Sequence, residues 1–174
     1  MDAAVTEAGR EQRTDRLEVV EICRYKVCRD PGKTLVTYSL GSCVSVVAYD
    51  GHARVGGMIH YALPEQKADR EKAKTFPAMF GDSGLRDMFQ ELYEAGAQKS
   101  RLRVCIVGGA SMLGAGEKNS IGRRNALLAR KLLRKSGIDI KAEYVGGHIS
   151  RTAYLDLADG TVLVRHPDGR EERL

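Results

Sequence analysis

The stretch Thr37-Tyr38-Ser39-Leu40-Gly41-Ser42-Cys43 runs on into Val44-Ser45-Val46-Val47-Ala48-Tyr49-Asp50 and, after a short interruption, Val55-Gly56-Gly57-Met58-Ile59-His60-Tyr61. It reads as a turn carrying a cysteine, a strand, a tight loop at Asp50-Gly51 and a second strand carrying a histidine. With Asp50 to Ala53 as the loop, Tyr49 pairs with Arg54 and Cys43 falls opposite His60. Directly opposed residues share a face, with β-carbons roughly 4.5–5.5 Å apart. The spacing therefore predicts a thiol within reach of an imidazole, and an odd loop length would separate them, because side chains alternate with a period of two.

A cysteine attacks carbonyl carbon as the thiolate, so it needs a neighbour that takes its proton. His60 is the candidate base, and Thr37 or a nearby backbone group is placed to fix its tautomer from the other ring nitrogen. Backbone N–H groups of a tight Leu40-Gly41-Ser42-Cys43 turn are suited to hold the oxyanion that such an attack creates. The plain structural alternative is a buried cysteine before a strand, with a histidine on the hairpin by coincidence.

Outward from the hairpin, Lys33 to Tyr38 reads as the strand leading into the turn, after an Asp30-Pro31-Gly32 turn signal, and Leu17 to Cys23 as the first strand of the domain. Residues 1–16 form a polar leader without periodicity, so the single domain is placed at 17–174. Downstream, the charged segment Glu65 to Lys74 has no apolar stripe and reads as a surface loop. Leu85, Met88, Phe89, Leu92 and Tyr93 recur at helical spacing after a cap at Asp82 or Ser83, and Gly96 stops that helix. Arg103 to Val107 reads as a buried strand ending at Gly108-Gly109. Ser120 caps a second helix through Ser136, with Leu128, Ala129, Leu132 and Leu133 inward. Strands follow at Ile138 to Val145, Thr152 to Leu157 and Thr161 to His166. The order of strands, helix, strand, helix and strands indicates an α+β fold in layers rather than a repeating βαβ wind.

The 174 residues suit one domain, and a hydrophobic fraction of 43% with 29% charged residues is that of a globular chain. No apolar run reaches membrane-spanning length and the first residues lack a secretion-signal pattern, so no membrane insertion is expected and the cytoplasm is the expected compartment. Cys23, Cys28, Cys43 and Cys105 are then reduced thiols, with Cys23 and Cys105 read as core and Cys28 as a strand edge. Their spacing offers no zinc site. The net charge of +5 favours acidic partners, but no aromatic-basic interleaving points to nucleic acid. The segment Gly108 to Lys118 resembles a phosphate loop only loosely, since Glu117 precedes Lys118 and Asn119 follows where Ser or Thr is required. His52 reads as loop surface, His166 as a strand end and His148 as a second-choice base.

Leu40-Gly41-Ser42-Cys43-Val44, Gly56-Gly57-Met58-Ile59-His60 with Leu63-Pro64, Gly108-Gly109-Ala110, Ile121-Gly122-Arg123-Arg124-Asn125 and Gly146-Gly147, in this order, resemble the motifs of CheD, the chemoreceptor glutamine deamidase family. The resemblance runs from about Val36 to Val164. It implies an α+β cysteine-hydrolase fold, a layered mixed β-sandwich flanked by helices, like the catalytic domain of the cytotoxic necrotizing factors. It also implies Cys43 as nucleophile, His60 as general base and Thr37 as the residue orienting the histidine, with Gly41 and Ser42 in the oxyanion turn. No metal or organic cofactor is implied. The expected activity is deamidation of receptor glutamines, with glutamate methyl-ester hydrolysis also allowed. The expected partners are the cytoplasmic helices of methyl-accepting chemoreceptors and a CheC-like phosphatase. A non-catalytic adaptor that binds the same partners is the alternative. One departure stands out: Gly146-Gly147-His148-Ile149-Ser150-Arg151 carries Ser150 where the family usually has glycine.

Overall fold

Every residue of Val44–Asp50 and of Val55–Tyr61 is buried, which explains why these segments lack a polar alternation: they lie in the middle of a sheet covered on both faces. The computed structural model describes residues 16–111 and 120–174, and within these the chain forms two five-stranded sheets and three α-helices. The first sheet has the order β1 (Leu17–Val19), β3 (Thr34–Leu40), β8 (Arg151–Asp156), β9 (Val162–Arg165) and β10 (Glu171–Arg173). The second has the order β2 (Arg24–Cys28), β5 (Val55–Tyr61), β4 (Val44–Asp50), β6 (Arg103–Gly108) and β7 (Ile140–Val145). The helices are α1 (Arg70–Thr75), α2 (Gly81–Glu94) and α3 (Ile121–Lys135).

Alternation along β4 divides the core in two. Val47 and Tyr49 join Met58, Cys105 and Val107 against Leu35, Leu155 and Val164 of the first sheet. Val44, Val46 and Ala48 pack on the other side with Ile59, Met88, Leu92, Ala129 and Leu133, beneath α2 and α3. The result is three layers: sheet, sheet and helices. Burying a side chain such as Leu92 or Leu133 contributes about 2 kcal/mol, so the expected layered α+β sandwich flanked by helices is held by two separate apolar seams.

Several expectations need correction. The first strand ends at Val19. The chain then turns at Glu21 to Cys23, where Cys23 has φ 61°, and crosses to the second sheet as β2. Cys23 is consequently half-buried rather than core. The Glu65 to Lys74 segment is not a structureless loop: it holds a short 3-10 turn at Gln66–Ala68 and α1, capped by Asp69, whose side chain accepts from Lys72 N. Only Ala73 of α1 is buried, so no apolar stripe existed to read. Helix α2 begins at Gly81 with Phe80 as its cap residue, and Asp82 instead accepts the Gln66 N–H at 3.1 Å. The cap of α3 is as expected, with Ser120 Oγ accepting from Arg123 N at 3.3 Å. β7 starts at Ile140, later than expected, and β10 was not foreseen. The leader through Asp15, and Met112 to Asn119 of the glycine-rich segment, lie outside the described residues.

Candidate active site

The site forms where the chain passes twice from one sheet to the other, after β1 through Val20 to Cys23 and after β3 through Gly41 to Cys43. Because β1 and β3 are parallel, both crossings fall at the same end of the sandwich. The end of β5, with His60, lies beside them.

The hairpin register differs by two residues from the expected one. The loop is Gly51 to Arg54, Asp50 pairs with Val55, and His60 stands opposite Ser45 rather than Cys43. The loop still has an even length, so Cys43, two positions before Ser45, keeps its parity and packs at the seam between the sheets. Cys43 is therefore a diagonal neighbour of His60, not a directly opposed one. The loop moved because Asp50 is an anchor at the end of β4: its carboxylate accepts from His52 N (2.9 Å), Ala53 N (3.0 Å) and Gln98 N (2.8 Å) and pairs with Arg101 at 2.9 Å.

Thr37 is fully buried in the first sheet, and its Oγ1 lies 2.7 Å from His60 Nδ1 in the second. The same hydroxyl donates to Val20 O at 2.7 Å. A threonine has one hydroxyl proton; with that proton on Val20 O, the oxygen accepts from Nδ1–H. The tautomer is thereby fixed, and Nε2 carries the lone pair. His60 Nε2 is buried and has no hydrogen-bond partner among the described atoms. Burial lowers the His60 pKa to about 4.

Cys43 is half-buried. Burial, and after it the nearby Cys23 thiol, push its pKa up to about 11, while its own backbone N–H works in the opposite direction. At neutral pH the thiol keeps its proton and the imidazole stays neutral. Both groups are neutral in this arrangement, and His60 Nε2 makes no hydrogen bond to the Cys43 thiol.

The turn that carries Cys43 is held from several sides. Ser39 takes the left-handed conformation at φ 57°, and Gly41 N–H donates to Ser39 O at 2.8 Å. Gly109 N donates to Cys43 O and Ala110 N to Gly41 O, both at 2.8 Å. Gly108 has φ 109°, and a Cβ there would stand 2.4 Å from Cys43 O, so the end of β6 can approach the turn only as glycine. Asn125 of α3 is buried and its Nδ2 donates to Ser42 O (3.0 Å) and Ala62 O (2.9 Å), tying the turn to the end of β5. Tyr61 Oη in turn donates to Asn125 O at 2.7 Å.

Sequence reasoning did not single out Ser45, Asn125, Val20 or Cys23 for the site. Ser45 is fully buried and its hydroxyl has no partner among the described atoms. A polar residue inside an otherwise apolar strand was the available signal. His148 is exposed, with Nδ1 3.1 Å from Ser111 O, and His166 is buried with Nε2 2.9 Å from Tyr144 Oη. At Gly146-Gly147 the left-handed conformations fall on the two glycines (φ 83° and 74°), not on Ser150. Among the described residues no group of three His, Cys, Asp or Glu is arranged to hold a metal ion, and no helix is long and apolar enough to cross a membrane.

These features define a layered α+β protein with a cysteine and a threonine-tethered histidine set at the seam of two sheets. The family model described as CheD chemotactic sensory transduction matches residues 62–166. A probable chemoreceptor glutamine deamidase CheD 1 from Syntrophus aciditrophicus is 40% identical over 151 residues, covering 87% of this chain and 94% of that protein. A probable chemoreceptor glutamine deamidase CheD from Pyrococcus horikoshii is 43% identical over 131 residues, covering 74% and 80%. The chain belongs to the CheD family. Among solved structures, Neisseria meningitidis protein NMB0706 superposes with a TM-score of 0.42 at 13% identity, covering 80% of this chain and 68% of that one.

Proposed function

We propose that this chain hydrolyses glutamine side-chain amides of chemoreceptors to glutamate in chemotactic adaptation, with Cys43 as nucleophile, His60 as general base and Thr37 as the residue that orients it. The observation that carries this reading is the relay in which His60 Nδ1–H donates to Thr37 Oγ1 and Thr37 Oγ1–H donates to Val20 O, leaving Nε2 as an unpartnered proton acceptor on the residue diagonally across the β4–β5 pairing from Cys43. Membership of a family whose relatives carry the deamidase name supports the substrate.

In this mechanism Cys43 Sγ attacks the amide carbon while its proton passes to His60 Nε2. The neutral resting pair requires that transfer to accompany attack. The oxyanion is held by backbone donors of the turn; Gly41 N–H is already committed to Ser39 O, which leaves Ser42 and Cys43 for the role. His60 returns the proton to the leaving nitrogen, the C–N bond breaks and ammonia departs, leaving a thioester on Cys43. Water then attacks the thioester carbon, His60 takes its proton, the C–S bond breaks, and the proton returns to sulfur as the glutamate leaves. No metal or organic cofactor enters these steps. A glutamate methyl ester would follow the same path with methanol as leaving group.

The work is done in the cytoplasm on the helical region of a receptor, and the family resemblance adds a CheC-like phosphatase as a regulatory partner. The test is ammonia release from a chemoreceptor cytoplasmic fragment by wild type, Cys43→Ala and His60→Ala. Release by wild type alone is expected. Binding of the fragment without release by any of the three would replace the enzyme with an adaptor.

A further inference from the structure

Helix α3 carries six cations and no acidic residue over its fifteen positions: Arg123, Arg124, Arg130, Lys131, Arg134 and Lys135. At 3.6 residues per turn, all six fall within about 80° of Leu127. The opposite face, with Asn125, Ala126, Leu128, Ala129 and Leu133, is buried. The outer face is open: Arg123, Arg124, Leu127, Lys131, Arg134 and Lys135 are exposed, and Leu127 retains 47% of its surface. This is a stripe about 22 Å long with an apolar centre and cationic flanks. Two carboxylates border it. Glu143 holds Arg130 at 2.7 Å, and Glu65 has its pKa lowered chiefly by Lys67 and more weakly by Lys131 and Arg124. They leave the stripe strongly positive.

The first turn of α3 meets the active-site turn on its buried face, opposite the stripe. Asn125, one turn from the start of the helix, bonds the carbonyl of Ser42 beside the nucleophile, and Gly122 packs against the backbone of Gly109 and Ala110. A rod-like partner laid along α3 has one end beside the first turn of the helix, the turn that packs on the cysteine loop.

We propose that the outer face of α3 is the docking surface for an acidic α-helix of the protein substrate, seated by Leu127 and steered by the flanking cations, so that a glutamine on that helix is delivered to Cys43. This rests on the deamidase reading above. Docked helices are seated by apolar anchors and steered by complementary charges, and the chemistry favours an acidic occupant, since each turnover replaces a neutral amide by a carboxylate. Partly deamidated helices therefore complement the face better than fresh ones, and successive deamidations on one helix become faster.

The test compares wild type with Lys131→Glu/Arg134→Glu and the milder Lys131→Gln/Arg134→Gln, both at exposed positions away from the reacting groups. On a soluble chemoreceptor cytoplasmic fragment at low ionic strength, the charge reversal should raise KM about tenfold with kcat unchanged, and the neutral variant should raise it less. Turnover of a short glutaminyl peptide, too small to span the face, should be equal in all three. Added salt should raise KM for wild type and barely move it for the reversal. Conversion by wild type with KM unchanged in both variants would overturn the docking surface alone. Loss of sedimentation with phosphatidylglycerol vesicles in the variants, with KM for the fragment unchanged, would overturn it in favour of a membrane surface. Absence of conversion by wild type would overturn both this proposal and the deamidase reading.

Discussion

Thr37 Oγ1 and His60 Nδ1 are 2.7 Å apart and belong to different sheets. The hydrogen bond that sets the histidine tautomer is therefore also a tie between the layers, and it exists only when the sandwich is closed. Thr37→Val removes the acceptor and leaves Nδ1–H buried without a partner. Losing a buried hydrogen bond costs about 1–3 kcal/mol, which corresponds to a fall in kcat/KM of roughly fivefold to 150-fold if it is felt in the transition state. Thr37→Ser keeps the hydroxyl and should retain most activity. Steady-state kinetics on a receptor fragment separates the two variants.

The protonation of the pair gives a second expectation. With His60 lowered to about 4 and Cys43 raised to about 11, the reactive neutral forms persist between those values. The pH profile of kcat/KM should rise through the acid limb near 4 and stay flat across neutrality. Alkylation of Cys43 by iodoacetamide should be slow at pH 7 and accelerate as pH rises, because the thiolate is the reacting form. Fast, pH-independent alkylation near pH 6 would show a preformed ion pair instead.

The turn geometry is tested at Gly108. Alanine there must adopt φ 109° and places Cβ 2.4 Å from Cys43 O, a combination expected to cost roughly 2–4 kcal/mol and to reduce kcat by displacing Cys43. Gly169→Ala is the control, with φ 86° but nothing within 4 Å of the added carbon. It should cost only about 1 kcal/mol and leave kcat intact. Denaturant titration and kinetics on both variants check this.

Acid stability reports on Asp50. Burial alone would raise its pKa, but the Arg101 guanidinium and the N–H groups of Gln98, Ala53 and His52 hold it down to about 2. A carboxylate depressed in the folded state stabilises above its unfolded value of about 3.9 and loses that contribution as pH falls toward the folded value. Wild type should thus lose stability between about pH 4 and 2. Asp50→Asn should be less stable than wild type at pH 7 by about 3 kcal/mol, and the gap should narrow through that window. Thermal melts across pH measure it.

Much of the fold could be read from local pattern. The α2 stripe, the Ser120 cap and the β4–β5 hairpin each declare themselves within a few residues. Two features could not. The register of β4 on β5 depends on Asp50, whose partners Gln98 and Arg101 lie far along the chain, so no local loop rule could place it. The break at Cys23 is set by a crossing between sheets that apolar alternation does not reveal. At the site, the placing of Cys43 and His60 on one face and of Thr37 beside the histidine was legible because their chemistry is distinctive and because the loop parity survived a two-residue shift. Asn125 was quoted within a motif but had no role until its amide was seen to join Ser42 O and Ala62 O. Its neighbours in space are remote in sequence, which pattern reading does not reach.

The most direct test of the account is to identify the covalent intermediate. A receptor fragment mixed with enzyme, quenched in acid during turnover and mapped by mass spectrometry, should yield a substrate glutamyl group joined as a thioester to the peptide containing Cys43. That adduct should be absent in Cys43→Ala, together with glutamine-to-glutamate conversion. Conversion that persists in Cys43→Ala, or an adduct on Cys23, would contradict the assignment of Cys43 as the nucleophile.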